Sequence, residues 1–157
     1  MALAAVMGIE PTAVADTPEF QLGQLGAIID DTNGTRMYKY LQYDTGSAGT
    51  AAVAGEVAYY YTLDGYKTFK VTSDLSDSVE IGAGVIQAVM TDGQYGWFQV
   101  SGAATLTIAL TAGADGDPLT PTGSADGTLD VASAATDNIC AIAGDISDKE
   151  IICTFPL

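Results

Sequence analysis

Several groups of side chains in this sequence have the types and spacing that chemistry uses. Asp44-Thr45-Gly46-Ser47 follows directly on the run RMYKYLQY. A carboxylate on such a turn can share a proton with a second one, because two adjacent acids cannot both ionise cheaply, and the pair then works as acid and base. Gly113-Ala114-Asp115-Gly116-Asp117, with Asp126 and Asp130 downstream, offers carboxylate oxygens of the kind a calcium ion takes. A third group is aromatic: Tyr38, Tyr40, Tyr43, Tyr59, Tyr60, Tyr61, Tyr66 and Phe69, then Tyr95, Trp97 and Phe98. Exposed, such rings stack on sugars or anchor protein interfaces; buried, they supply bulk to an alanine-rich core.

Each group also has a plainer explanation. Asp44-Thr45-Gly46-Ser47 resembles the aspartic-protease signature, but no second Asp-Thr-Gly or Asp-Ser-Gly exists to complete a pair. Gln42 and Tyr43 stand where that family has small apolar residues, and DTGSAGTAAVAGEV suits a flexible connection between strands. The Asp/Gly run lacks the EF-hand spacing with its terminal Glu, so an ordinary turn without metal is expected. The rings are expected mostly in the core, with a few left for an interface, and Trp97 is assigned to one or the other. Cys140 and Cys153 lie in the strand-like runs ICAIAG and EIICTF, which suit paired neighbours. Buried thiols are the expectation for them. The chain has no histidine, which removes Ser-His-Asp and Cys-His catalysis and the commonest zinc ligand. No phosphate-cradling glycine loop occurs either. No enzymatic activity and no cofactor are expected.

Composition narrows the partners. Twenty acidic residues against 5 basic ones give a net charge of −15, which cannot displace phosphate counterions, so nucleic acid is excluded as a partner. Hydrophobic residues make up 48% of the chain and charged ones 16%, enough apolar surface for a core rather than a disordered chain. No apolar run reaches the roughly 18 residues of a membrane span. Ala13-Val14-Ala15 looks like a signal-peptidase site, but no Lys or Arg precedes the apolar stretch, and Glu10 and Pro11 interrupt it. A secretory signal is therefore not expected.

The elements that must position these residues are strands. Candidates are 21–30, 35–43, 55–62, 66–72, 84–90, 95–101, 103–110, 128–132, 139–143 and 149–155. Asn33-Gly34, Asp64-Gly65, Asp92-Gly93 and Asp126-Gly127 supply turns between them, with Leu63-Asp64-Gly65-Tyr66 the plainest hairpin. In 35–43, Met37, Lys39, Leu41 and Tyr43 alternate with Arg36, Tyr38, Tyr40 and Gln42, so a strand covered on both faces is expected. Only 131–136 suits a helical turn. The fold class is all-β, a sandwich or small barrel formed by residues 21–157. Residues 1–20, with Pro11 and Pro18 and no clear period, read as an extended N-terminal arm. Its Ile9, Pro11, Val14, Pro18 and Phe20 are expected to meet a partner. All basic residues except Lys149 fall between positions 36 and 70, so Arg36, Lys39, Lys67 and Lys70 form a second candidate contact strip.

The order of phrases also carries a resemblance. QLGQLGAIIDDTNGTRMYKYLQYD, AGEVAYYY, GAGVIQAVMTDGQYGWFQVSGAATLTIA and AGADGDPLTPTGSADGTLDVA are similar to the small structural proteins of tailed phages. In particular they resemble head decoration, or capsid cement, proteins. The most specific piece runs from Gly93 to Gly102, followed by Ala114-Asp115-Gly116-Asp117-Pro118-Leu119. The resemblance covers about residues 20–145. It implies a β-sandwich or barrel, a non-enzymatic role, binding to the major capsid protein lattice and a homo-oligomer, most simply a trimer. The chain is then expected on the virion's capsid surface, made in the host cytoplasm. Removal of residues 2–18 is expected to abolish particle binding and spare the fold. An adhesion module that binds carbohydrate is the alternative.

Overall fold

A computed structural model describes residues 3–6, 8–61 and 65–157, with backbone alone at 3–6 and 65–66. Its strands are β1 (Leu3–Val6), β2 (Val14–Ala15), β3 (Leu25–Asp30), β4 (Gly34–Tyr43), β5 (Val57–Tyr61) and β6 (Lys70–Thr72). They continue as β7 (Ser78–Ile86), β8 (Tyr95–Thr105), β9 (Pro118–Thr120), β10 (Asp130–Val131), β11 (Ala141–Asp145) and β12 (Glu150–Thr154). The class is all-β, as expected from sequence.

Five strands close a barrel in the order β4-β6-β5-β7-β8, the ring being completed by pairing of β8 with β4. Only the β4–β6 contact in it is parallel. The two longest strands, β4 and β8, serve two sheets. Gln42 and Tyr43 of β4 pair with β6, while Gly34 to Lys39 pair with β3. Phe98 and Gln99 of β8 pair with β7, while Ser101 to Thr105 pair with β12. Both strands thus run out of the barrel into an outer sheet, β1-β3-β4-β8-β12-β11-β9-β10. Separate strands at 95–101 and 103–110 were the sequence expectation, with Gly102 as the break. One strand runs through instead, because Gly102 sits where an added Cβ would lie 2.7 Å from the Thr35 carbonyl oxygen.

Alternation along β4 explains the core. Leu41 and Tyr43 point into the barrel, where Ala58, Tyr60, Val71, Ala83, Ile86, Met90 and Phe98 meet them. Tyr38 and Tyr40 point the other way and pack with Ile9, Ile28 and Trp97. This strand is covered on both faces, as its large side chains require. A further cluster, including Val57, Tyr59, Val100, Leu119, Cys140, Ile151, Cys153 and Phe155, fills the space between barrel and outer sheet.

Turn chemistry sets the β3–β4 connection. The Asp30 carboxylate accepts hydrogen bonds from the Thr32 and Asn33 amides (2.7 and 3.2 Å), the Asn33 side chain (2.9 Å) and Arg36 (3.2 Å). The Asn33 side chain first, and then the Thr32 amide, hold its carboxyl below the ordinary aspartate value. A depressed folded-state value adds stability above the unfolded pKa and loses it as pH falls through the folded one. Asp30→Asn is therefore expected to flatten the fall of melting temperature between about pH 5 and pH 2. An unchanged acid profile would show that the turn does not depend on the charge.

Other local expectations are corrected. The Leu63-Asp64-Gly65-Tyr66 hairpin falls partly outside the described residues, and Gly65–Thr68 forms a helical turn. The strand expected over 66–72 is thereby shortened to Lys70–Thr72, though β5 and β6 still pair antiparallel through Tyr59↔Thr72. The strand expected over 84–90 begins earlier, at Ser78, and ends at Ile86. Residues 131–136 form no helix, because the Asp137 carboxylate captures the Ser133 and Ala134 amides at 2.8 Å.

Candidate functional site

The N-terminal segment is extended, but it runs along its own barrel. β1 pairs with β3 and β2 with β8. The Glu19 amide donates to Tyr40 Oη (3.2 Å), and Asp16 accepts from Gln94 Nε2 (2.7 Å). Ile9 is 5% exposed and fills the space over Gly26, where a Cβ would lie 2.8 Å from Ile9 Cδ1. Val14 is half-buried beside Gly96, and the Phe20 ring lies 5.2 Å from Tyr40 and 5.1 Å from Trp97, edge-on to each. The expectation that Ile9 faces a partner is therefore corrected, because its side chain is buried with Tyr38, Tyr40 and Trp97; Val14 and Phe20 are half-buried against the domain and keep part of their surface open. Pro11 is half-buried and Pro18 exposed. Trp97 itself is 1% exposed and belongs to the core, opposite Tyr40 on the same sheet face.

The four basic residues do not make one exposed strip, although Lys39 and Lys67 line a common cleft. β4 alternation sends Arg36 and Lys39 to opposite faces. Arg36 pairs with Asp30 at 3.2 Å and Lys70 with Asp44 at 3.4 Å. Lys39 is 3% exposed, and Lys67 alone of the four is exposed.

Asp44 organises its own loop. One carboxylate oxygen accepts from the Gly46 amide (2.9 Å) and the other meets Lys70. The Asp77 carboxylate, held below its ordinary value by the backbone and hydroxyl of Ser47, ties down the rest of that loop. The downstream aspartates hold backbone amides as well, Asp117 within its own turn and Asp115 and Asp126 across to other loops. Asp117 accepts from the Ala114 amide (2.7 Å), Asp115 from Ile146 (3.0 Å) and Asp126 from Leu75 (2.9 Å). Among the described residues no cluster of three or more Asp, Glu, Cys or His side chains is placed to hold a metal ion. Cys140 and Cys153 are buried free thiols in one cluster; burial pushes the Cys153 thiol up to about 12 and Cys140 higher still, so neither is a thiolate near neutrality.

The feature that sequence reading missed lies on the outer sheet. Ile142 and Ile152 are direct cross-strand partners and are 42% and 45% exposed. Pro118 pairs with Ile142 on one side and Ala103 with Ile152 on the other, and both are exposed. An unbroken apolar row thus crosses β9, β11, β12 and β8 on the face turned away from the barrel. Carboxylates rim it: Asp145 and Glu150 stand opposite one another, and Asp115 binds the amide of exposed Ile146. Hydrogen bonds from Ser147 and the Asp148 amide hold the Asp145 carboxyl below its ordinary value. The signal was present in CAIAGD and EIICTF, which are apolar at positions of both parities. Such strands read as covered on both faces, whereas here the barrel covers one face only.

Comparison with known proteins finds no matching family model, curated protein or solved structure.

Proposed function

We propose that this chain is a non-enzymatic virion structural protein that binds the outside of an assembled phage capsid and stabilises it. The observation that carries this reading is the apolar row Pro118–Ile142–Ile152–Ala103, bare on the outer sheet and rimmed by carboxylates. A row of this kind has the make-up of a small interface, with an apolar centre and a polar margin. Its charge selects a partner: a lattice face with a basic margin complements it, while a second copy of the same face repels it. One such contact is weak, but a repeating lattice multiplies it, and anything that binds only the assembled shell stabilises that shell by mass action. A net charge of −15 keeps the free subunit soluble until then.

The test is co-sedimentation with capsids of the phage that encodes the chain. The double variant Ile142→Asp, Ile152→Asp is expected to weaken binding by at least about 100-fold, since each charge buried at an apolar contact costs roughly 1.5–3 kcal/mol or more. Its melting temperature should fall by only a few degrees, because the side chains are 42% and 45% exposed and the added cost is that of two carboxylates facing one another across β11 and β12. Full occupancy by the double variant would overturn the placement of the contact. The homo-oligomer belongs to the same proposal, with copies meeting away from the acidic row. Light scattering is then expected to give a small symmetric oligomer, most simply a trimer, whose mass the double variant leaves unchanged. A variant that falls to monomer would place the self-contact on the row instead.

A further inference from the structure

We infer that copies of this chain meet one another through a near-neutral face built around Val53 and Val89. The inference rests on the homo-oligomer of the reading above and deepens it by placing the self-contact.

Residues 52–56 and 86–90 continue the β5–β7 ladder beyond its Val57↔Val85 pair. The Gly55 amide donates to the Ile86 carbonyl and the Ile86 amide to that of Glu56, both at 2.8 Å, and Ala52 bridges Met90. The continued register sets Val53 opposite Val89. Ala52 and Met90 are buried in the barrel core, so alternation turns Val53 and Val89 outward. They are 42% and 65% exposed, and among the described residues no large apolar side chain is more exposed than Val89. Ala51 and Ala54 beside them are exposed as well. A cleft of about 380 Å³ opens next to this pair, with Gln87, Gln99, Thr105 and Thr107 in its lining. Thr107 is fastened to the ribbon: its hydroxyl donates to the Ala54 carbonyl (2.6 Å) and its amide to that of Gly55 (2.9 Å).

Charge decides what this face can meet. Residues 45–55, 81–91 and 93–114 hold no charged side chain, in a chain of net charge −15. Parts of all three stretches come together here, the first two as the ribbon and the third as a wall of the cleft. The charges that border the face nearly balance. Arg36, paired with Asp30, and Lys149, which donates to the Thr107 carbonyl (3.2 Å), stand against Glu150 on the cleft and Glu56, whose carboxylate accepts from the Val53 amide (3.3 Å). Two copies repel one another wherever their acidic surfaces face. In a closed ring, moreover, a residue near the axis meets itself, so a charge placed there opposes its own copies. A face with an apolar centre and almost no net charge is where a second copy can approach. A lattice with a basic margin is drawn instead to the acid-rimmed row on the outer sheet.

The experiment is light scattering on the full chain over a series of concentrations. Val89→Asp and Val89→Lys are each expected to move half-assembly to at least about tenfold higher protein concentration, since the new charge meets itself whatever its sign. Ile142→Asp, Ile152→Asp is expected to leave assembly unchanged. Both Val89 variants should melt close to the unmodified chain, because position 89 is 65% exposed. Should either fail to fold, Val89→Cys decides. Cys140 and Cys153 are buried, so a short bismaleimide is expected to join copies through position 89 alone and give a covalent dimer. Ile146→Cys, beside the acidic rim, is expected to give none. A monomeric unmodified chain, unchanged assembly in both Val89 variants, dissociation by one sign of charge only, or no cross-linking through position 89 would each overturn the proposal. None of these results touches the capsid contact, which co-sedimentation of the Ile142→Asp, Ile152→Asp variant decides separately.

Discussion

Trp97→Ala is expected to lower the free energy of unfolding by about 3–5 kcal/mol, and Trp97→Phe to change it by less than about 1.5 kcal/mol. The indole is 1% exposed and packs against Phe20 and Tyr40, both with ring centres 5.1 Å away. Truncation to alanine removes most of that contact and leaves a cavity that β4, β8 and the N-terminal segment are too tightly paired to close. Small domains are stable by only about 5–15 kcal/mol, so the alanine variant loses a large share of the total. Phenylalanine behaves differently because of one atom. Trp97 Nε1 is buried without a hydrogen-bond partner, and an unmet buried donor costs about 1–3 kcal/mol. Phenylalanine gives up some packing but also removes that donor, so the two changes offset. Denaturant melts of both variants check this, and equal destabilisation by Phe and Ala would mean that the indole N–H is satisfied in solution.

The fold was legible in the sequence where side chains alternate strongly and turns have specific chemistry. TRMYKYLQY carries large residues on both faces, and the structure covers both; Asn33-Gly34 turns β3 into β4 as its chemistry demands. Three kinds of information were not local. Lys39 alternates like any strand lysine, and only the closure of the barrel turns that face into a mouth where the amine is buried. Gly102 reads as a break when strands are considered singly, but it marks a close approach to Thr35 on the neighbouring strand. Ile142 and Ile152 look like core residues, since nothing in EIICTF says which of two apolar faces a second layer will cover. The N-terminal residues show the same limit. Small apolar side chains without a period fit an arm reaching outward as well as one laid on its own domain. What decides is the complementary surface that Gly26, Tyr40 and Trp97 present, and that surface exists only after folding.

That difference changes what removing the segment should do. Deletion of residues 1–18 is expected to destabilise the domain severely, not to leave an intact fold that has merely lost a contact. The deletion strips β1 from β3 and β2 from β8, and it removes Ile9 from the cluster that holds Tyr38, Tyr40 and Trp97. Ile9→Ala isolates one part of this, with an expected cost of about 2–4 kcal/mol, because the side chain is buried over Gly26, which has no side chain to take its place. The deletion should exceed that cost and bring melting to or below ambient temperature. Capsid binding by the truncated chain is then ambiguous unless its melt is recorded beside it: binding would vanish with the fold whatever surface touches the shell. Ile142→Asp, Ile152→Asp resolves the ambiguity, since it alters the proposed contact and spares the core. Loss of binding in both variants, with loss of folding in the deletion only, fits a segment that holds the domain together and a sheet face that meets the lattice. A truncated protein that melts as the full chain does would show instead that residues 1–18 are dispensable to the fold, and would return them to the role of a contact arm.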